Sequence, residues 1–175
     1  QIGSYGLYFG RVTEEKGVET VIKAYEKLPE YTVKIMGDDT TDEAKRLKKY
    51  VENHKMKNVE FLGFKSGAEL ENVIKGARFT LIPSIWYDNL PNTALESFQY
   101  SKPVIASNIG SLPELVIDGE NGYLFKPSNV EDLIKKIKML DDDTLVKKMG
   151  QASRKRLESR FAPQTHYEDL MKIFN

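Results

Sequence analysis

The sequence lacks cysteine and has only two histidines among its 175 residues. Without cysteine, the chain can form no disulfide bond, no thiolate metal site and no cysteine nucleophile. The two histidines, His54 and His166, are far apart in sequence, which argues against a histidine-rich metal site. Candidate chemistry therefore rests on carboxylates, hydroxyls, amides and cations.

Net charge and long apolar runs are lacking too. Lys plus Arg and Asp plus Glu both number 26, so bulk electrostatics gives no argument for nucleic acid or an anionic membrane. No apolar run reaches about 20 residues and the start has no signal-peptide pattern, which predicts no transmembrane helix. Neither GxGxxG nor GxxxxGK[ST] occurs, which disfavours a standard dinucleotide or P-loop site.

Short apolar runs alternate with amphipathic stretches along the whole chain. Six runs predict strands that begin near residues 6, 31, 59, 79, 103 and 123, and helical spacing follows each of them. We therefore expect one Rossmann-like, three-layer α/β/α domain over residues 1–175, with a mostly parallel sheet of about six strands. Right-handed crossovers gather the strand–helix loops on one edge of the sheet, namely 10–17, 37–40, 63–67, 83–93 and 107–111.

The stretch 83–96 is the most informative part of the chain. It begins where the apolar run 79–82 stops and ends inside a predicted helix, so it lies at the carboxyl edge, where open α/β sheets bind ligands. Two carboxylates, Asp88 and Glu96, flank a helix start whose amides attract anions. The amides that can be presented there belong to Leu90, Asn92 and Thr93. This pattern suits a ligand that is part phosphate and part polyol.

The same residues have plainer interpretations. Asn92 or Thr93 could simply cap the helix. Glu96 could be an exposed helix glutamate, and Asp88 an Asx-turn residue beside Asn and Pro.

Two further residue pairs each have a binding interpretation and a plainer one. Arg11 and Lys16, five residues apart in the first strand–helix loop, could clamp a diphosphate or be solvated surface charges. Trp86 and Tyr87 could stack on a ring, but an aromatic pair directly after a core strand favours packing.

Short motifs follow one another in a characteristic order along the chain: Gly10-Arg11-x4-Lys16-Gly17, Phe61-Leu62-Gly63, Pro83-Ser84, Asp88-x7-Glu96, Lys102-Pro103-Val104-Ile105-Ala106-Ser107, Gly110-x3-Glu114 and Asp118-Gly119-x2-Gly122. In this order and spacing they strongly resemble the C-terminal domain of retaining GT-B glycosyltransferases of the large group 1, or family four, type. The resemblance runs from Leu7 to the final helix.

The resemblance implies a role for each matching position. Arg11 and Lys16 would bind the donor pyrophosphate and, with Asp88 at the donor sugar, would be the catalytic residues. The remaining nucleotide-sugar contacts would come from Glu96 at the ribose, from the backbone near Phe64 at the base, and from Ser84, Leu90, Asn92 and Thr93. The family usually has Glu where this chain has Asp88, whose shorter side chain withdraws the carboxylate by one methylene.

The resemblance also implies a whole-protein function. The donor would be a UDP-, GDP- or ADP-sugar, with no further cofactor and no metal, and a hexose such as mannose or glucose would pass to a saccharide or lipid-linked acceptor. An N-terminal domain outside this sequence would hold the acceptor and contact a C-terminal helix at 160–175, so this chain alone is expected to be inactive. The intact enzyme would be cytoplasmic and, with a lipid-linked acceptor, would work at the cytoplasmic membrane face. The alternatives are a non-catalytic nucleotide-sugar-binding module and a GT-B-like sugar epimerase.

Overall fold

The computed structural model describes residues 2–87 and 92–160 of the chain. Six strands are found: β1 Tyr5–Phe9, β2 Thr32–Met36, β3 Val59–Gly63, β4 Ala77–Ile82, β5 Val104–Ser107 and β6 Gly122–Phe125. They form one sheet in the order β3-β2-β1-β4-β5-β6, and each neighbouring pair is parallel. The predicted parallel sheet of about six strands is confirmed.

Within the described residues, five helices connect the strands and two follow the last strand: α1 Val18–Glu26, α2 Asp42–Asn53, α3 Gly67–Gly76, α4 Asn92–Gln99, α5 Leu112–Leu115, then α6 Val130–Met139 and α7 Asp143–Arg160. Capping side chains mark two of their starts. Thr41 accepts from the amide of Ala44 at 3.1 Å before α2, and Asn129 accepts from the amide of Asp132 at 2.9 Å before α6. Of the predicted helix at 160–175, residue 160 is the last residue of α7, and the rest lies outside the described residues.

The sheet is covered on both faces because successive strand residues point to opposite sides. On β5, Ile105 joins an apolar cluster with residues of α1, α2 and α6. Its neighbours Val104 and Ala106 instead pack with α4 and α5. On β1, Leu7 and Phe9 pack with Ile74 of α3. This alternation produces the predicted three-layer α/β/α arrangement.

The strand order reverses direction between β1 and β4. From β1 the chain continues to β2 and β3 on one side, whereas β4 leads to β5 and β6 on the other. The loops that leave the carboxyl ends of β1 and β4 therefore diverge and open a crevice, which is where open α/β sheets bind ligands. In the ranges 2–87 and 92–160, no helix combines the length and apolarity needed to cross a bilayer.

Candidate functional site

Three glycines at the carboxyl edge bring the loops after β1, β2 and β3 together. The amide of Gly10 donates to the carbonyl of Met36, and the amide of Gly37 donates to the carbonyl of Gly63, each at 3.0 Å. A Cβ built on Gly37 would lie 1.9 Å from the carbonyl oxygen of Gly10, so no larger residue fits there. The loops can meet only because residue 37 lacks a side chain.

A cleft of about 480 Å³ opens at this edge. Its lining comes from the loops after β1, β2 and β3 and from α3 and α4: Phe9, Gly10, Arg11, Met36, Gly37, Asp38, Phe64, Lys65, Leu70, Thr93 and Glu96. Four of the residues predicted from the sequence, Arg11, Phe64, Thr93 and Glu96, are thus brought together around one space. Arg11 and Phe64 are exposed, Phe64 with 75% of its surface accessible.

The α4 side of the cleft carries a carboxylate in a partly dehydrated position. Thr93 and Glu96 are both half-buried in the first turns of α4, and a Cβ built on Gly10 would lie 3.9 Å from Cγ2 of Thr93. Burial raises the pKa of the Glu96 carboxyl above its ordinary value. A carboxylate in this position is suited to accept hydrogen bonds from a bound ligand.

The loop after β1 is held against the loop after β4. Residues Glu14–Lys16 form a 3-10 turn, and the amide of Ile85 donates to the carbonyl of Glu15 at 2.9 Å. Lys16 is half-exposed in this turn but is not among the residues that line the 480 Å³ cleft. The pKa of the Glu15 carboxyl is lowered by its own backbone amide and by Thr13, and further by the charges of Arg11 and Lys16. The two predicted phosphate ligands, Arg11 and Lys16, thus both act electrostatically on Glu15.

The remaining predicted residues are buried, exposed or outside the described part of the chain. Ser84 is buried and Asn92, the first residue of α4, is exposed; neither lines the cleft. Asp88 and Leu90 lie outside the described residues. The interpretation of Trp86 and Tyr87 as packing residues is wrong, because they are 70% and 77% exposed. The loop turns outward after buried Ser84, so the pair leaves the core.

Sequence reasoning missed several cleft residues. Asp38 accepts from the amide and hydroxyl of Thr40 at 2.9 and 2.6 Å, and these bonds lower the pKa of its carboxyl. Lys65 lies 3.8 Å from Glu69. Their loops, 37–40 and 63–67, were expected at this edge, but the choice of lining side chains depends on the strand order. Phe9, Met36 and Leu70 supply apolar lining that no motif marks.

A second cleft, of about 630 Å³, lies at the opposite, amino-terminal edge of the sheet. Its lining includes Lys102, which is nearly fully buried, and Tyr100. Lys102 Nζ donates to the carbonyls of Lys75 and Ala77, each at 2.7 Å, so this cation already satisfies backbone groups where α3 ends. Although this cleft is larger, we assign the candidate site to the carboxyl edge, where the strand order opens the crevice and the predicted residues meet.

The sequence profile of the family described as "Glycosyl transferases group 1" matches residues 4–156. The chain belongs to this family. An uncharacterized glycosyltransferase of Methanocaldococcus jannaschii is 30% identical over 172 residues, covering 98% of this chain and 48% of that protein. The glycogen synthase of Mycobacterium tuberculosis is 33% identical over 169 residues, covering 91% and 39%. The chain therefore spans less than half the length of these relatives.

Solved structures show the same fold within a longer chain and in a domain by itself. Anabaena HepE in complex with UDP superposes with a TM-score of 0.87 at 23% identity, covering 98% of this chain and 48% of that chain. The C-terminal domain of a group 1 family protein, LpcC from Francisella tularensis, superposes with a TM-score of 0.79 at 26% identity, covering 93% and 89%. The chain thus has the fold of the C-terminal half of a GT-B glycosyltransferase.

One motif of this group 1 domain has a structural role. In the segment Asp118–Gly122, Asn121 is fully buried; its Oδ1 accepts from the amide of Ile117 at 2.7 Å, and its Nδ2 donates to the carbonyl of Leu115 at 3.1 Å. These bonds fix the turn that leads from α5 into β6. Among the described residues, no three or more His, Asp or Glu side chains come together as a metal site would require.

Proposed function

We propose that this chain is the donor-binding half of a retaining glycosyltransferase that transfers a hexose, such as mannose or glucose, from a nucleotide sugar. The observation that carries the proposal is that the half-buried carboxylate of Glu96 and the guanidinium of Arg11 line the same cleft, at the β1/β4 crevice. A carboxylate suits the vicinal diol of a ribose, and a guanidinium suits phosphate oxygens. Family membership supports the same ligand class.

The strand order suggests how the donor lies. The base would sit at Phe64 after β3, the ribose at Glu96, and the pyrophosphate between Arg11, Lys16 and the start of α4. From the loop after β3 to the loop after β4 there are three inter-strand spacings, roughly 14 Å. An extended nucleoside diphosphate has a comparable length. The donor sugar would then extend toward Asp88, with Ser84, Leu90 and Asn92 near the phosphates.

In the proposed reaction, an acceptor hydroxyl attacks the anomeric carbon as the bond to the nucleotide diphosphate breaks, on the same face of the sugar, and the hydroxyl proton passes to an oxygen of the leaving diphosphate. Negative charge develops on the leaving diphosphate. Arg11, Lys16 and the amides at the start of α4 would stabilise that charge, so the proposal calls for no metal and no cofactor besides the donor. Loss of donor binding on treatment with EDTA would contradict this part.

The acceptor would be a saccharide or a lipid-linked acceptor held by an N-terminal domain, with residues 160–175 packed on that domain. The intact enzyme would be cytoplasmic, and it would work at the cytoplasmic face of the membrane if its acceptor is lipid-linked. Cell fractionation of the full-length protein tests the location. The 175-residue chain by itself would bind nucleotide and transfer no sugar.

The test of the proposal is calorimetric titration of the chain with UDP, GDP and ADP. We expect one of them to bind. Arg11→Ala and Lys16→Ala should each weaken binding of that nucleoside diphosphate by about tenfold. The affinity for the corresponding nucleoside should change little. Lys147→Ala, an exposed lysine on α7, serves as the control for removal of one positive charge.

Absence of binding by all three nucleotides would reject the proposal. Turnover of the full-length protein separates the alternatives. A non-catalytic module would bind the nucleotide sugar without reaction, and an epimerase would act on it without acceptor.

A further inference from the structure

A buried chain of hydroxyl hydrogen bonds joins β4 to the first turn of α4. Thr80 Oγ1 donates to Ser97 Oγ at 2.8 Å, and Ser97 Oγ donates to the carbonyl oxygen of Thr93 at 2.6 Å. Both Thr80 and Ser97 are fully buried. Because Ser97 uses its only proton on Thr93, it is left to accept the proton of Thr80, and the direction of the chain is fixed.

Stability alone does not require these hydroxyls. Replacing both partners of a buried hydrogen bond by apolar groups of similar shape can be nearly neutral, and Thr80 and Ser97 are both fully buried. What the hydroxyls add is direction. The bond from Ser97 to Thr93, four residues earlier, adds a second donor to a helix carbonyl and so influences the geometry of the first turn.

The two ends of the chain lie in very different places. Thr80 is in the middle of the sheet, paired with Leu7 of β1 and Val104 of β5. Thr93 lines the cleft beside Gly10, and Glu96, which also lines it, immediately precedes Ser97. The hydroxyl chain therefore links the cleft-lining turn of α4 to the middle of the sheet, next to the crevice between β1 and β4.

We propose that Thr80 and Ser97 are positioning residues for the donor site. They hold the Thr93 and Glu96 positions in register with Arg11, so that phosphate and ribose are bound together without rearrangement of α4. This inference rests on the proposed function of the cleft. Preorganised donors and acceptors bind more tightly because less order is lost on binding.

The experiment compares Ser97→Ala, Thr80→Val and Thr80→Ser by calorimetry with UDP, GDP and ADP, and by urea denaturation. Ser97→Ala should weaken the best-binding nucleotide by about fivefold. Thr80→Val, which keeps the shape but leaves Ser97 without its donor, should weaken it by a smaller factor. Thr80→Ser restores the hydroxyl and should bind as the wild type does.

Ser153→Ala is the matched control. Ser153 is also fully buried, and its Oγ donates to the carbonyl of Asn121 at 3.0 Å, between α7 and the turn before β6. This variant should lose stability much as Ser97→Ala does and keep the wild-type affinity. Equal affinities in Ser97→Ala, Thr80→Val and the wild type would show that the chain is only structural and would overturn the inference.

The two proposals fail in different ways. If the wild type binds none of the three nucleotides, the proposed function fails and the inference falls with it. If the wild type binds and the variants bind equally well, only the inference fails. Should Ser97→Ala not fold, the two Thr80 variants decide, because valine and serine both fit the space that threonine occupies.

Discussion

The carbonyl oxygen of Pro83 lies so close to Gly17 that a Cβ at residue 17 would be 2.1 Å from it. Gly17 also has a φ of +69°, in the left-handed region that favours glycine. Together with the hydrogen bond from Ile85 to Glu15, this contact makes the loops after β1 and β4 pack as one unit. The two loops that would hold the donor phosphates thus depend on one residue that lacks a side chain.

Gly17→Ala is expected to destabilise the chain by about 2–4 kcal/mol, from backbone strain plus displacement of the Pro83 loop. Urea denaturation measures the loss, and calorimetry should show weaker nucleotide binding. Gly119→Ala is the control, since Gly119 has a φ of +82° with nothing within 4 Å of its Cβ position. Equal losses in the two variants would mean that strain alone matters and that the contact with Pro83 does not.

Glu96→Gln should stabilise the fold while weakening nucleotide binding. Burial raises the pKa of the Glu96 carboxyl, so its ionisation costs more in the folded chain than in the unfolded one. We expect the free energy of unfolding at neutral pH to rise, by an amount that solvent screening of this half-exposed group keeps small. The nucleotide that the wild type binds best should bind about tenfold more weakly, because the amide accepts fewer hydrogen bonds from the ribose.

The gain in stability should depend on pH. Below the ordinary carboxyl pKa of 4.5, Glu96 is protonated in both states and the variant should match the wild type. As pH rises above this value, the folded state loses stability relative to the variant until the raised pKa is passed. A difference that stays constant across this range would show that burial of the charge is not the cause.

Phe64→Ala should lower affinity for the best-binding nucleotide without lowering stability. Phe64 is 75% exposed at the base end of the cleft, so its removal should change the free energy of unfolding by less than about 0.5 kcal/mol. Loss of stacking on the base should cost about 1 kcal/mol, or fivefold in the dissociation constant. Met139→Ala is the control, because Met139 is also an exposed apolar residue but lies on α6. Unchanged affinity in Phe64→Ala would show that the ring does not stack on the base and would leave only the backbone near residue 64 to contact it.

Asn121→Asp tests whether the turn before β6 is structural. Aspartate cannot donate to Leu115 and would bury a charge, so we expect a loss of about 3 kcal/mol that diminishes at acid pH, where the carboxyl is protonated. Asn53→Asp, exposed near the end of α2, should change stability by less than about 0.5 kcal/mol. Nucleotide affinity of the folded variant should equal that of the wild type; a large loss would assign Asn121 to the site.

Local sequence patterns determined the elements of this fold. Runs such as 79–82 carry strand propensity, and helical spacing such as that of Val21 and Tyr25 carries the amphipathic pattern, so six strands and their helices could be placed from the sequence. The preference for right-handed crossovers then assigned the loops to one edge. For this reason Arg11, Thr93 and Glu96 could be predicted to share one edge of the sheet, and the resemblance to group 1 glycosyltransferases added Phe64.

The tertiary structure decided what no local pattern encodes. The strand order determines which loops are neighbours, and so it selected Asp38 and Lys65 as lining residues. The outward turn after Ser84 decided that Trp86 and Tyr87 face solvent, although their sequence resembles that of core residues. Ser97 meets Thr80, 17 positions away along the chain, a contact that depends on how α4 lies on the sheet. Sequence determined the elements because propensity is local, whereas the site depends on packing between segments that are distant along the chain.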